Sequence, residues 1–209
     1  FFEKSVNSFF AAITARPDPS MVPNIIFGKD SSYNGGRQAI PGMDDAIAES
    51  RVGTTQAARK EALRFAPVIG RLPKCLLEDL ETVWIHKGNN PFGGGNNNLL
   101  IHTGQAEEYL AEGILEETLV HEASHTSLDG DHAYDSEWLA AQAADDEFIS
   151  TYARDNPYRE DVAESFLLYY ALKHRPDRIS ESLAKTISET IPNRIAYFDS
   201  QALDLAMET

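Results

Sequence analysis

A chain of 209 residues with 42% hydrophobic and 24% charged residues is long enough for one folded domain and too balanced in composition for global disorder. Its formal charge of −15, from 18 Lys+Arg against 33 Asp+Glu, leaves no cationic footprint for nucleic acid or for an anionic membrane surface, although a cationic substrate would gain from the field. Its apolar runs, such as Ser165–Leu172, fall far short of the ~20 residues that span a bilayer, so no membrane insertion is expected.

In chain order, Phe2, Val6, Phe9, Phe10 and Ile13 recur at helical spacing and predict an amphipathic helix over 3–15, ended by Pro17, Pro19 and Pro23. Asn24–Phe27 reads as a short strand, followed by a turn-rich stretch through Tyr33-Asn34-Gly35-Gly36. A helix over Thr54–Phe65 is expected to end before Pro67, and Leu76–Leu80 reads as a short helical piece. The lone Cys75 excludes an intramolecular disulfide framework and, beside Leu76 and Leu77, reads as a small core residue. Thr82–His86 and Leu99–His102 are the next two strands. Between them Gly93-Gly94-Gly95 and Asn96-Asn97-Asn98 match no phosphate-binding fingerprint and lead into a strand, which makes 88–98 a flexible hairpin connection.

From Gln105 the pattern turns helical. One long helix over Gln105–Leu128 carries Tyr109, Leu110, Ile114, Leu115, Leu119 and Val120 as its apolar stripe and ends at Asp129-Gly130-Asp131. Ser136 caps a helix to about 151, and Asn156-Pro157 opens another that ends at His174-Arg175. Two more, near 180–190 and 193–206, complete the series. A mixed first part followed by helices makes the class α+β. A single domain over 1–209 is expected, with 1–80 of unassigned role and the core of the site from about 81. The first residue is Phe1 rather than Met, and the expectation is a processed, secreted product.

His121-Glu122-Ala123-Ser124-His125 is an HExxH motif. On a helix, residues four apart share a face, so both imidazoles can reach one tetrahedral zinc at ~2.0–2.1 Å. Glu122 would lean toward a water in the open coordination position and act as general base. A third protein ligand is required. Asp131, His132 and the acids Asp145, Asp146 and Glu147 are candidates by spacing from His125. Glu160 is the strongest, because Glu160 and Glu164 lie four apart beside the apolar stripe of Ala163, Leu167 and Tyr170, where carboxylates are costly unless paired or metal-bound. One would ligate the metal; the other would accept a hydrogen bond from a ligand imidazole.

These residues resemble a family. Residues 121 to about 171, a quarter of the chain, are similar to the metallopeptidase domain shared by anthrax lethal factor and the clostridial Pro-Pro endopeptidases. The shared features are HExxH, a glutamate 35 residues on within Glu160-Asp161-Val162-Ala163-Glu164-Ser165-Phe166, and the aromatic-rich continuation Leu167-Leu168-Tyr169-Tyr170. The resemblance implies a zincin-like fold with a long active-site helix. It implies Glu160 as third zinc ligand, Glu164 behind the metal, and a tyrosine that stabilises the oxyanion. The family places that tyrosine seven residues before the ligand; here that position is Ala153, and Tyr152 and Tyr158 are the nearest candidates.

The resulting expectation is a zinc-dependent endopeptidase acting on a peptide or protein, with the strand near 99–103 pairing an extended substrate. Its alternatives are a binding protein with a structural zinc and a small-molecule amidase. A structural Ca2+ on Asp129, Asp131, Asp135 and Glu137 is the weaker expectation, since Ala133 and Tyr134 break the EF-hand loop. His86 and His102 read as core or edge histidines, His174 as a cation suited to a helix C-terminus, and Trp84 and Trp138 as core. Oligomeric state is open.

Overall fold

The structure, a computed structural model, describes residues 24–27 and 55–207. The helix expected over 3–15 and the turns around Tyr33 lie outside the described residues. Four strands, β1 (Asn24–Phe27), β2 (Thr82–His86), β3 (Gly93–Gly95) and β4 (Asn98–His102), form one sheet in the order β1-β2-β4-β3. β1, β2 and β4 run parallel, and β3 runs antiparallel along the edge. Val83, Ile85, Leu99 and Ile101 are buried in the core.

Two expectations are corrected here. The glycine stretch is a strand, and β4 lies inside the sheet between β2 and β3, so the edge is Gly93–Gly95 and not 99–103. Glycine is depleted in strands, which hid this one. Its hairpin is closed by Asn96 and Asn97 at φ 49° and 59°, the two positive-φ positions of a two-residue type I′ turn that asparagine tolerates. Glycine is required at 94, where a Cβ would stand 1.7 Å from the Glu122 carbonyl oxygen.

Ten α-helices accompany the sheet among the described residues. α1 (Thr55–Ile69) runs through Pro67 instead of ending before it. Pro67 is exposed and forgoes one hydrogen bond, while Phe65, Ala66 and Ile69 on the inner face are buried, a gain of roughly 1.5–3 kcal/mol for each large side chain. α2 (Lys74–Leu77) follows, with Cys75 buried and its thiol pushed up to about 12 by that burial. The expected long helix is two, α3 (Thr103–Glu112) and α4 (Leu115–Ser127). Gly113 between them adopts the left-handed conformation at φ 75°, and its N–H and that of Ile114 turn back onto Leu110 and Tyr109. Leu110, counted on the apolar stripe, is 53% exposed.

α5 (Asp129–His132) follows α4 through Leu128, which keeps helical dihedrals, so Asp129-Gly130-Asp131 starts a further turn rather than ending the helix. α6 (Ser136–Ala144) is capped by Asp135, whose carboxylate accepts from Glu137 N–H and Trp138 N–H. It ends seven residues earlier than expected, and Ser150 caps the separate α7 (Thr151–Asp155). α8 (Asp161–His174) begins only after the turn at 157–160. Its residues Asp161–Ala171 are all buried, the apolar ones in the core and the two acids, Asp161 and Glu164, against polar partners. α9 (Glu181–Thr190) and α10 (Pro192–Ser200) close the helical part. Beyond Ser200 the chain is extended: the Asp204 and Ala206 carbonyls accept from Cys75 N–H and Lys74 N–H.

The architecture is mixed α and β, in keeping with the α+β class. α4 lies between β3 on one side and α8 on the other. Among the described residues no helix is long and apolar enough to cross a membrane.

Candidate metal centre

Three donor atoms converge where α4 meets the start of α8. His121 Nε2 and His125 Nε2 are 3.2 Å apart, and Glu160 Oε2 lies 3.2 Å from His125 Nε2 and 3.5 Å from His121 Nε2. Ligands ~2.05 Å from a tetrahedral cation stand about 3.3 Å from one another, so these three separations describe one face of such a tetrahedron. Two imidazoles and a carboxylate form a donor set that suits zinc and other first-row divalent ions, and the residues fit the expected metal.

A second layer orients the imidazoles. His125 Nδ1 donates to Asp129 Oδ2 at 2.7 Å, and His121 Nδ1 lies 3.3 Å from Glu164 Oε1. A carboxylate only accepts, so Asp129 holds a proton on His125 Nδ1 and Glu164 favours one on His121 Nδ1, an arrangement that would leave each Nε2 lone pair for a bound cation. Burial works against a charged His125, but hydrogen bonds and negative charge from Asp129 and Glu160 outweigh it and raise its pKa to about 10. Burial would raise Glu160, yet hydrogen bonds from His121 and His125 hold it well below the usual carboxylate range. Glu164, buried and hydrogen-bonded to Ser150, is raised chiefly by desolvation.

Glu122 faces the same cluster. Burial raises its pKa, the nearby histidines oppose that rise, and the Gly94 N–H donates to its carboxylate. Thr126 locks this face of α4 to the hairpin: its hydroxyl donates to Asn98 O and accepts from Gly95 N–H, both at 2.9 Å.

Of the two tyrosines, Tyr152 belongs to this cluster: its hydroxyl donates to Glu160 Oε1 at 2.9 Å. Tyr158 instead stacks on Tyr134 with ring centroids 5.8 Å apart. Two of the other candidate ligands, His132 and Asp145, are engaged elsewhere. His132 Nδ1 is 2.6 Å from Tyr197 Oη, and Asp145 pairs with Arg194 at 2.9 Å. Asp129 and Asp135 are taken up by His125 and by the cap of α6, so they do not converge as a calcium site. Among the described residues His121, His125 and Glu160 are the group whose ligand atoms gather closely enough for a cation. His86 and His102 are buried with rings 5.6 Å apart; Trp138 is buried and Trp84 half-buried.

Sequence reasoning missed Asp129 as a partner of His125. Its signal is the i, i+4 spacing, which carries no weight in a helix expected to end at Asp129. No family model, curated protein or solved structure matches the chain.

Proposed function

We propose that the protein is a zinc-dependent endopeptidase of zincin-like build, with His121, His125 and Glu160 holding the metal and Glu122 as general base. The observation that carries this reading is the tetrahedral-face geometry of the three donors with a glutamate between the two histidines on the same helix. A purely structural zinc would need a fourth protein ligand, and Glu122 would have no task in it. Bound at these atoms, zinc supplies Lewis-acid polarisation of a carbonyl and lowers the pKa of a water beside it.

The chain's own groups carry the proton and the substrate. Glu122 accepts the proton of the attacking water at its carboxylate and delivers it to the leaving amine nitrogen. Its burial raises its proton affinity above that of an ordinary carboxylate, against the nearby histidines and the Gly94 N–H, which lower it. Tyr152, half exposed on the Glu160 carboxylate, donates its hydroxyl to the negative charge developing on the substrate carbonyl oxygen. An extended peptide would lie along β3, the edge of the sheet.

The test joins metal analysis to a peptide-library screen. One zinc per chain and cleavage that falls about 10²–10⁴-fold in Glu122→Ala, with zinc retained, are the expected results. Full activity in Glu122→Ala would sink the general-base assignment, and a zinc-loaded wild type that cleaves no peptide would sink the endopeptidase reading.

A further inference from the structure

Thr126 follows His125 on α4, the helix that carries both histidines and Glu122. Its hydroxyl accepts from Gly95 N–H and donates to Asn98 O, both at 2.9 Å. A threonine inside a helix commonly turns its hydroxyl onto the carbonyl four residues back. Here that carbonyl, Glu122 O, is the longer contact at 3.2 Å, so the hydroxyl serves the hairpin before its own helix. Gly95 and Asn98 are paired across the hairpin, and Thr126 joins the N–H of one to the carbonyl of the other. We propose that Thr126 is a positioning residue: it ties the edge strand β3 to the metal-bearing helix and so fixes where an extended peptide backbone lies relative to the metal. The inference rests on the peptidase reading for its substrate, while its test reads binding.

β3 needs such a tie. It has three residues, pairs within the sheet with β4 alone, and consists of glycine, the residue that loses most conformational freedom on ordering. A strand that accepts a peptide must be in place before the peptide arrives, because any ordering cost is subtracted from the binding. Gly94 makes the second contact. A Cβ there would stand 1.7 Å from the Glu122 carbonyl oxygen, so the β3 backbone lies directly on α4. Gly94 thus sets how near the strand comes, and the Thr126 hydroxyl sets its place along the helix. His121 and His125 lie on that same helix, so the edge strand and two of the three donors are referred to one rigid element. Alignment of this kind matters for rate and binding: a misplacement of about 1 Å can cost about 10²-fold.

The test titrates zinc-loaded protein calorimetrically with three chelators. Acetohydroxamic acid has no backbone to pair; two further hydroxamates carry a tri-alanine arm on the amino or on the carboxyl side of the chelating group. At least one arm should tighten binding to wild type about tenfold or more over acetohydroxamic acid. Thr126→Val keeps the size and loses both hydrogen bonds, and should erase most of that factor while zinc content and acetohydroxamic acid affinity stay unchanged. Thr126→Ser, which keeps the hydroxyl, should retain it. A factor that survives Thr126→Val, or Thr126→Ser behaving as Thr126→Val, would overturn the proposal. So would equal weakening of all three chelators or loss of zinc in Thr126→Val, since the hydroxyl would then serve the metal centre itself. Failure of both arms to tighten wild-type binding would overturn it as well. A Thr126-dependent factor in a protein that cleaves no peptide would uphold the positioning role and overturn the peptidase reading instead.

Discussion

Glu160 and Asp161 are neighbours at the start of α8, both buried, and they enter polar clusters of opposite kinds. Asp161 receives Arg194 Nε at 2.8 Å and Gln142 Nε2 at 2.9 Å, and the same guanidinium reaches Asp145 at 2.9 Å. The chain thus brings its own cation to that cluster, and α10, the 145–148 segment and α8 are fastened together. Around Glu160 the chain brings more anions instead: Glu122, Asp129 and Glu164 surround two imidazoles. A buried group of carboxylates with converging lone pairs is stable only if a cation arrives from outside or a proton stands in for it. The high pKa of His125 is that stand-in.

If the two clusters are separate in this sense, each can be broken alone. The largest effect is expected from Arg194→Met, which strands two buried carboxylates and should lower stability by about 3–5 kcal/mol in urea melts. Zinc stoichiometry of the folded fraction should stay at one per chain; its loss would show that the clusters are a single unit. Glu160→Ala should do the reverse, with zinc affinity falling by more than about 100-fold in chelator competition and an unchanged circular dichroism spectrum. A loss smaller than the 10–100-fold typical of outer partners would move the third donor elsewhere. Asp129→Asn belongs to that outer class and should weaken zinc about 10–100-fold while leaving the stoichiometry intact.

The subtlest effect is a pH dependence of the metal-free protein. His125 is raised from its usual 6.5 to about 10, so its contribution to stability is full below 6.5 and is lost as pH rises through about 10. Melting temperatures in chelator should therefore decline across that window, and the decline should flatten in Asp129→Asn. A flat profile in the wild type would mean that the proton does not stand in for the metal.

The readable part of the site was the part written in one helix. His121, Glu122 and His125 follow from helical periodicity, and the acid-bearing stripe of α8 singled out Glu160 and Glu164, which the structure brings to the same place. Asp129 was hidden because Asp-Gly-Asp looks like a stop, whereas Leu128 keeps helical dihedrals and carries the same face onward. β3 was hidden because three glycines have no side-chain pattern at all; only Glu122 packed against Gly94 explains why nothing larger stands there. The division at Gly113 was visible as a glycine within the apolar pattern, but left-handed backbone at that point is a tertiary choice that periodicity does not carry. β2 and β4 were the easy elements, with buried β-branched and leucine side chains alternating along them.

The span between His125 and Glu160 has a consequence for the unfolded chain. A cation held by both would tie off a loop of 35 residues, and a cross-link of that length removes chain entropy worth about 4 kcal/mol from the unfolded ensemble. The cation would then act as a removable staple, and resistance to heat would follow its free concentration as closely as it follows the packing around α8.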